Sequence, residues 1–336
     1  MKKIALLLLL FGAGLAVARV LLSPYHLLAR YKLGGEGGWD YLTFDAAGNR
    51  LFIARATRVM VVDPDTGKLI TEIPDTRGVH GVALAGDLGK GFISDGGDDA
   101  VTIFDLKTLK TLDKIAVGKG PDAILYDAAS RRVFTMNGHG HDSTVLDAAA
   151  GKVVGTIPLN GKPEFAVSDG QGKAYVNLED KNEVAVLDTN RLSVLTRWPL
   201  APCESPSGLA IDQAHRRLFA GCANQLMAVV NADSGKLIVT LPIGEGVDAA
   251  GFDPGTMSAF ASNGKSGTLT LVREITPDKF MVVSNLETAK NARTLAVDPV
   301  KHRVFLVTAE LEPPKNPGER RHVVPETFEV LVLGSK

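Results

Sequence analysis

The chain has 336 residues, 37 basic against 38 acidic side chains, two cysteines and a composition that is 45% hydrophobic. A near-neutral balance with no basic run gives no footprint for nucleic acid or anionic lipid, so neither is an expected partner. Two thiols are too few for a disulfide-dependent scaffold, and beyond the N-terminus no apolar run is long enough to span a bilayer.

The first element is an export signal. Met1-Lys2-Lys3 gives a basic start, Ile4 to Leu15 an apolar run, and Ala16-Val17-Ala18 a small-x-small cleavage site. The run is short and wrongly flanked for a spanning helix, which weighs against the alternative of an uncleaved anchor. No Cys follows it, so a lipid anchor is not expected. Cleavage after Ala18 leaves 318 of the 336 residues. Without Lys2 and Lys3, 35 basic residues face 38 acidic ones, a formal −3. The expected destination is the periplasm or the exterior.

From there on the chain repeats itself. Asp45-Ala46-Ala47-Gly48-Asn49-Arg50-Leu51-Phe52 recurs from Asp127 to Phe134, from Asp212 to Phe219 and from Asp298 to Phe305, with weaker copies at Gly86, Asp169 and Asp253. The seven markers are 41, 41, 42, 43, 41 and 45 residues apart. In each copy a short apolar strand precedes the marker, as in Leu209-Ala210-Ile211, and a second follows it, as in Leu218-Phe219-Ala220. A third resembles Val184 to Asp188, and a turn such as Asp63 to Lys68 opens a fourth, Leu69 to Pro74. Runs of about five residues punctuated by Asp, Gly and Pro are antiparallel strands with tight turns. Four strands per repeat of about 40 residues predict a propeller blade. The fold class is therefore all-β: a single seven-bladed β-propeller domain over residues 19–336, following a signal peptide at 1–18. The last copy ends at its third strand, Phe328 to Leu333, and lacks a fourth. The segment His26 to Gly34 reads as a spare strand that completes blade seven and latches the termini together.

The segment Ala174-Tyr175-Val176-Asn177, followed by Asn182 and Val184 to Thr189, resembles the repeat of the YVTN/YncE-like propeller family. Phe260-Ala261-Ser262-Asn263 and Phe134-Thr135-Met136-Asn137 are looser copies. The resemblance covers all seven repeats, roughly Gly37 to Leu333. It implies the propeller fold and an extracytoplasmic setting, in a family of unsettled role. WD40 is a weaker match, since Trp39-Asp40 is a lone pair at the wrong end of a blade. The kelch diglycine and the Trp-rich pattern of quinone-dependent propeller dehydrogenases are missing.

Five residues before each marker the chain enters the innermost strand, near the mouth of the central channel. Those positions are Asp40, Gly81 with His80 beside it, Asp122, Glu164, Ser207, Asp248 and Arg293. Like charges held close repel unless a cation or basic ligand compensates them. An all-oxygen ring suits Ca²⁺ or Mg²⁺. The plainer reading has these side chains capping neighbouring loops or facing a wet channel. Blade three adds Asn137-Gly138-His139-Gly140-His141-Asp142. Alternate residues of an extended segment share a side, so His139 and His141, with His80 and Asp122, form a candidate Zn²⁺ or Cu²⁺ set.

Three further features belong to the same face. Asp95-Gly96-Gly97-Asp98-Asp99 has the composition of a Ca²⁺ loop but not its spacing, and reads as a solvated turn. Glu310 to Glu326, carrying Arg320, Arg321 and His322, reads as either a lid or a mobile loop. Cys203 and Cys222 lie towards one end of blade five and are expected to form a disulfide, which export permits. No Gly-x-Ser-x-Gly, HExxH or phosphate loop occurs. The leading reading is a non-enzymatic propeller that binds a small ligand or protein through the mouth. The alternatives are a metal-assisted lyase or lactonase with a cation on His80, Asp122, Glu164 and Asp248, and an adhesion module acting through the outer blade edges.

Overall fold

A computed structural model describes residues 25–314 and 321–335; the segment expected to be an export signal lies outside the described residues. Seven four-stranded antiparallel sheets follow one another around a ring. Blade one consists of Leu42–Asp45, Arg50–Arg55, Arg58–Val62 and Leu69–Ile73, and each later blade repeats that meander. The fold is a seven-bladed β-propeller. Among the described residues no helix is long and apolar enough to cross a membrane.

Burial falls from the middle of each blade to its rim. Second strands such as Arg217–Cys222 are buried throughout, because both faces pack against neighbouring sheets, while fourth strands such as Thr111–Ala116 are mostly exposed. The second strand of every blade contributes one fully buried ring: Phe52, Phe92, Phe134, Tyr175, Phe219, Phe260 and Phe305. These seven aromatics are the framework of the inter-blade core, each burying a large apolar area.

The repeat marker has a local physical role. Asp45, Asp127, Asp169, Asp212, Asp253 and Asp298 each accept a backbone N–H from two or three residues ahead, which fixes the turn between first and second strands. Gly86 has no carboxylate to do this, and that turn becomes the 3₁₀ segment Gly86–Leu88 instead. A second recurring contact crosses the seams. Arg50 donates to the Leu106 carbonyl at 2.7 Å, Arg132 to Thr189 at 2.7 Å, Tyr175 to Ala232 at 2.8 Å, and Lys90, Arg217 and Arg303 do the same to Ala149, Pro277 and Pro64.

Blade seven is closed from the N-terminus. Leu295–Asp298, Arg303–Thr308 and Glu329–Ser335 form its first three strands, and Tyr25–Lys32 pairs antiparallel with Glu329–Ser335 as the fourth. The latch is slightly earlier than the sequence suggested. Tyr25 is buried and meets Phe260 of blade six edge-on at 5.2 Å, so the latch also grips the neighbouring blade. The connection onward to blade one is held by Arg55. It is fully buried, donates to carbonyls of Gly34, Glu36, Gly37 and Gly38, and lies 3.8 Å over the Phe328 ring.

Candidate functional site at the channel mouth

The innermost strands are held to one another by short polar side chains that reach the next blade's backbone. Thr43 donates to Val82, Ser94 to Asp122, Asn177 to Ser207, Ser207 to Val247 at 3.1 Å, and Thr294 to Asp40 at 2.8 Å. Ser207 therefore serves a seam, its hydroxyl bonded to blade six. Because these contacts fix the backbones, the charged side chains beside them are held in a small space.

Around the mouth three groups form. His80 Nδ1 lies 2.6 Å from Asp40 Oδ2 and 3.5 Å from Asp122 Oδ1. Arg293 donates to Asp248 at 2.8 Å and to the Trp39 carbonyl at 2.9 Å, and its guanidinium lies 3.7 Å from Asp40. Lys162 lies 2.7 Å from Glu164 and also holds Glu179. One ligand atom each from Asp40, His80 and Asp122 falls within a 4.8 Å cluster. Gly96 makes room for the imidazole, since a Cβ there would sit 2.7 Å from His80 Cδ2.

The floor is Tyr41. Its ring meets Phe165 of blade four edge-on at 5.0 Å, with Ala123 and Ala166 beside it, so a side chain of blade one spans the channel. Burial, reinforced by the charges of Asp122, Asp248, Asp40 and Glu164, raises its phenol well above the ordinary value, and it stays neutral.

The carboxylates are short of compensation. Burial, then the charge of Asp40, raises Asp122 despite the imidazole beside it. Burial and the Asp122 charge push Glu164 up to about 8; Lys162 returns less than these remove. Burial pushes Asp248 up to about 6 against the pull of Arg293. For His80, burial acts downward, but the hydrogen bond to Asp40 and the charges of Asp122 and Asp40 outweigh it and raise the imidazole.

Sequence spacing thus brings Asp40, His80, Asp122, Asp248 and Arg293 into direct contact and Glu164 into the same field. Lys162, Glu179 and Tyr41 were not among the sequence-derived residues. Lys162 stands two residues before Glu164, as any strand-entry lysine would, and only the fold turns its ammonium towards both carboxylates. His139 and His141 are exposed, and neither ring joins the Asp40–His80–Asp122 cluster; His139 lies against Gly120.

The acidic loop of blade two is neutralised by lysines. Lys114 contacts Asp95 and Asp98, and Lys119 contacts Asp99 at 2.6 Å. Cys203 and Cys222 form a disulfide with Cα atoms 5.5 Å apart. A cleft of about 740 Å³ adjoins the mouth; Trp39, Asp248, Asn291 and Arg293 line it together with Leu311 and Arg321 of the long blade-seven loop. Arg320 lies outside the described residues.

No family model matches this sequence, and no curated protein matches it. Among solved structures, the chain is similar to Kuenenia stuttgartiensis hydrazine synthase, with a TM-score of 0.70 and 14% identity, covering 81% of this chain and 92% of that one. The WD40 repeats of RRP9 match with a TM-score of 0.75 and 10% identity over 92% and 97% of the two chains. A chain of a mitotic checkpoint complex matches with a TM-score of 0.75 and 13% identity over 99% and 98%. At such identities the likeness is one of fold.

Proposed function

We propose that this protein is an exported binding module whose channel mouth receives a positively charged group, such as an amine or guanidinium on a small ligand or on a partner's side chain. One observation carries this reading: Asp40, Asp122, Glu164 and Asp248 converge on one opening with only Arg293, Lys162 and His80 in ion-pair reach among the described residues, and burial holds three of these carboxylates above the ordinary range. A group in that condition gains most from a cation delivered by a ligand, because the cation replaces the missing compensation in a low-dielectric site. The adjoining cleft supplies room and apolar wall for the rest of such a ligand.

The test is a chemical-shift titration of the mature protein with spermidine. Shifts clustered at Asp40, Asp122, Glu164 and Asp248, and lost in the double variant Asp122→Ala/Glu164→Ala with an unchanged circular dichroism spectrum, would support the assignment. Shifts elsewhere, or retained in the variant, would move the site.

The cluster of Asp40, His80 and Asp122 favours a second reading, in which a divalent cation on these three residues acts as a Lewis acid. Elemental analysis and activity assays before and after chelation separate the two. A protein without bound metal, and indifferent to chelator, leaves the binding reading alone.

A further inference from the structure

On the face opposite the mouth, the seam between blades five and six breaks the pattern of the repeat. In blades one and seven the marker Asp is neutralised by the arginine five residues on: Arg50 Nη2 lies 2.6 Å from Asp45 and Arg303 Nη2 lies 2.9 Å from Asp298. Blades three and five carry the same pair, Asp127 with Arg132 and Asp212 with Arg217, but with the guanidinium turned away. In blade three Arg132 donates to Thr189 and Asn190 while the Ser130 and Ser168 hydroxyls donate to Asp127. In blade five no hydroxyl among the described residues takes the place of Arg217 at Asp212. The Arg217 guanidinium donates to the carbonyls of Pro277, His215 and Arg216 and to Asp278. Asp212 is left facing Glu274.

Glu274 is itself out of pattern. By strand register it occupies the place held by Leu106, Ala148, Thr189 and Ala232 in blades two to five. A carboxylate thus stands where the other blades place apolar or neutral side chains. Asp212 and Glu274 are only 2% and 4% exposed. His215 Nδ1 sits between them, 2.8 Å from Asp212 Oδ2 and 2.9 Å from Glu274 Oε1. Neither approach has hydrogen-bond geometry. Asp212 Oδ2, both oxygens of Glu274 and His215 Nδ1 are all buried without a hydrogen-bond partner. Two buried carboxylates that share one imidazole at 2.8 and 2.9 Å, with poor hydrogen-bond geometry, are costly unless something binds there.

We propose that Asp212, His215 and Glu274 form a binding site for a divalent transition-metal ion, Zn²⁺ in the first instance, that clips blade five to blade six. One imidazole and two carboxylates make three protein ligands, the number that leaves a fourth position for water. The partly exposed His215 side chain, 38% accessible, gives that water its entry. Tetrahedral ligands about 2.0–2.1 Å from zinc stand about 3.3 Å apart. The three atoms, already within 4.8 Å of one another, need only a small adjustment around the ion. Ca²⁺ and Mg²⁺ fit poorly, since they take six or more oxygen ligands and avoid imidazole.

The test is calorimetric titration of the mature protein with Zn²⁺ in a His80→Ala/Asp122→Ala background, which removes two of the three ligands of the mouth cluster. One ion per chain is expected. Glu274→Gln, which keeps shape and removes charge, should weaken it at least 50-fold, and His215→Gln should do the same. Circular dichroism checks each fold, and Asp212→Asn replaces any variant that fails to fold. Co²⁺ in place of Zn²⁺ should give the absorption of a low-coordinate site that Glu274→Gln abolishes. Absence of Zn²⁺ binding, or equal affinity and stoichiometry in Glu274→Gln, overturns the proposal.

Discussion

The mouth and the blade five–six seam use the same side-chain types, carboxylates around an imidazole, with different degrees of compensation: partial at the mouth, less at the seam. At the mouth two permanent cations arrive from the chain itself: Arg293 between Asp248 and Asp40, and Lys162 between Glu164 and Glu179. At the seam the guanidinium of Arg217, five residues after Asp212, is spent on backbone carbonyls and Asp278, and two buried carboxylates share one imidazole. A residue at the entry to an innermost strand is surrounded by its counterparts from the other blades, so one blade's cation can serve another's anion. A residue at the turn of a third strand meets only its neighbour, and must find compensation there or from outside.

The largest expected effect tests the ring that makes both sites. Deletion of residues 19–34 removes the strand that completes blade seven, with its backbone pairing to Glu329–Ser335 and the Tyr25 contact to blade six. The exposed edge and opened ring should abolish cooperative thermal unfolding. A truncated chain that melts as before would remove the closed ring from under the comparison.

Next in size is a difference of sign. Arg293→Met leaves Asp40 and Asp248 facing each other and should destabilise by about 1–2 kcal/mol in urea unfolding, a modest figure because the side chain is 40% exposed. Asp212→Asn in metal-free protein removes an uncompensated charge, while its Oδ1 still accepts the Ala214 N–H. It should be neutral or stabilising. Two variants shifting stability in the same unfavourable direction would break the distinction drawn between the sites.

The smallest effect is a slope. Glu164 titrates near 8 in the folded chain against an ordinary 4.5, so the native state holds more protons than the unfolded state between those values. Stability attributable to this group therefore falls as pH rises through that window. Asp248, raised to about 6 from 3.8, and His80, raised above 6.5, act in the same direction. Melting temperatures at pH 5.5 and 8.5 should lie closer together in Glu164→Gln than in wild type, by roughly 2–4 °C. An unchanged gap would mean that Lys162 compensates Glu164 fully.

The two sites also differ in how far they were legible in the sequence. Blade number, strand order, the closing N-terminal strand and the arc Asp40–His80–Asp122–Asp248–Arg293 all follow from one period, because a ring converts equal spacing into proximity. Tyr41, Lys162 and Glu274 do not follow from it. Tyr41 acts by reaching Phe165 three blades away, and Lys162 by turning back past Glu164 to Glu179. Glu274 matters because it departs from the repeat, at a position that only strand register aligns with Ala148 and Ala232. His139 and His141 illustrate the converse: adjacency in sequence suggested a shared ligand, but a loop whose His141 takes a positive φ of 57° does not present alternate side chains to one side as an extended strand does.

At the mouth a bound cation should take the place of protons on Glu164 and Asp248. Calorimetric titration with spermidine at pH 6 and pH 8.5 measures this, using wild type and Glu164→Gln/Asp248→Asn. Affinity in wild type should rise with pH as Glu164 and Asp248 ionise, with protons released on binding, and both effects should be smaller in the variant, where Asp122 and His80 alone still titrate. Binding that is independent of pH, equal in the two proteins, or absent from wild type would contradict the account.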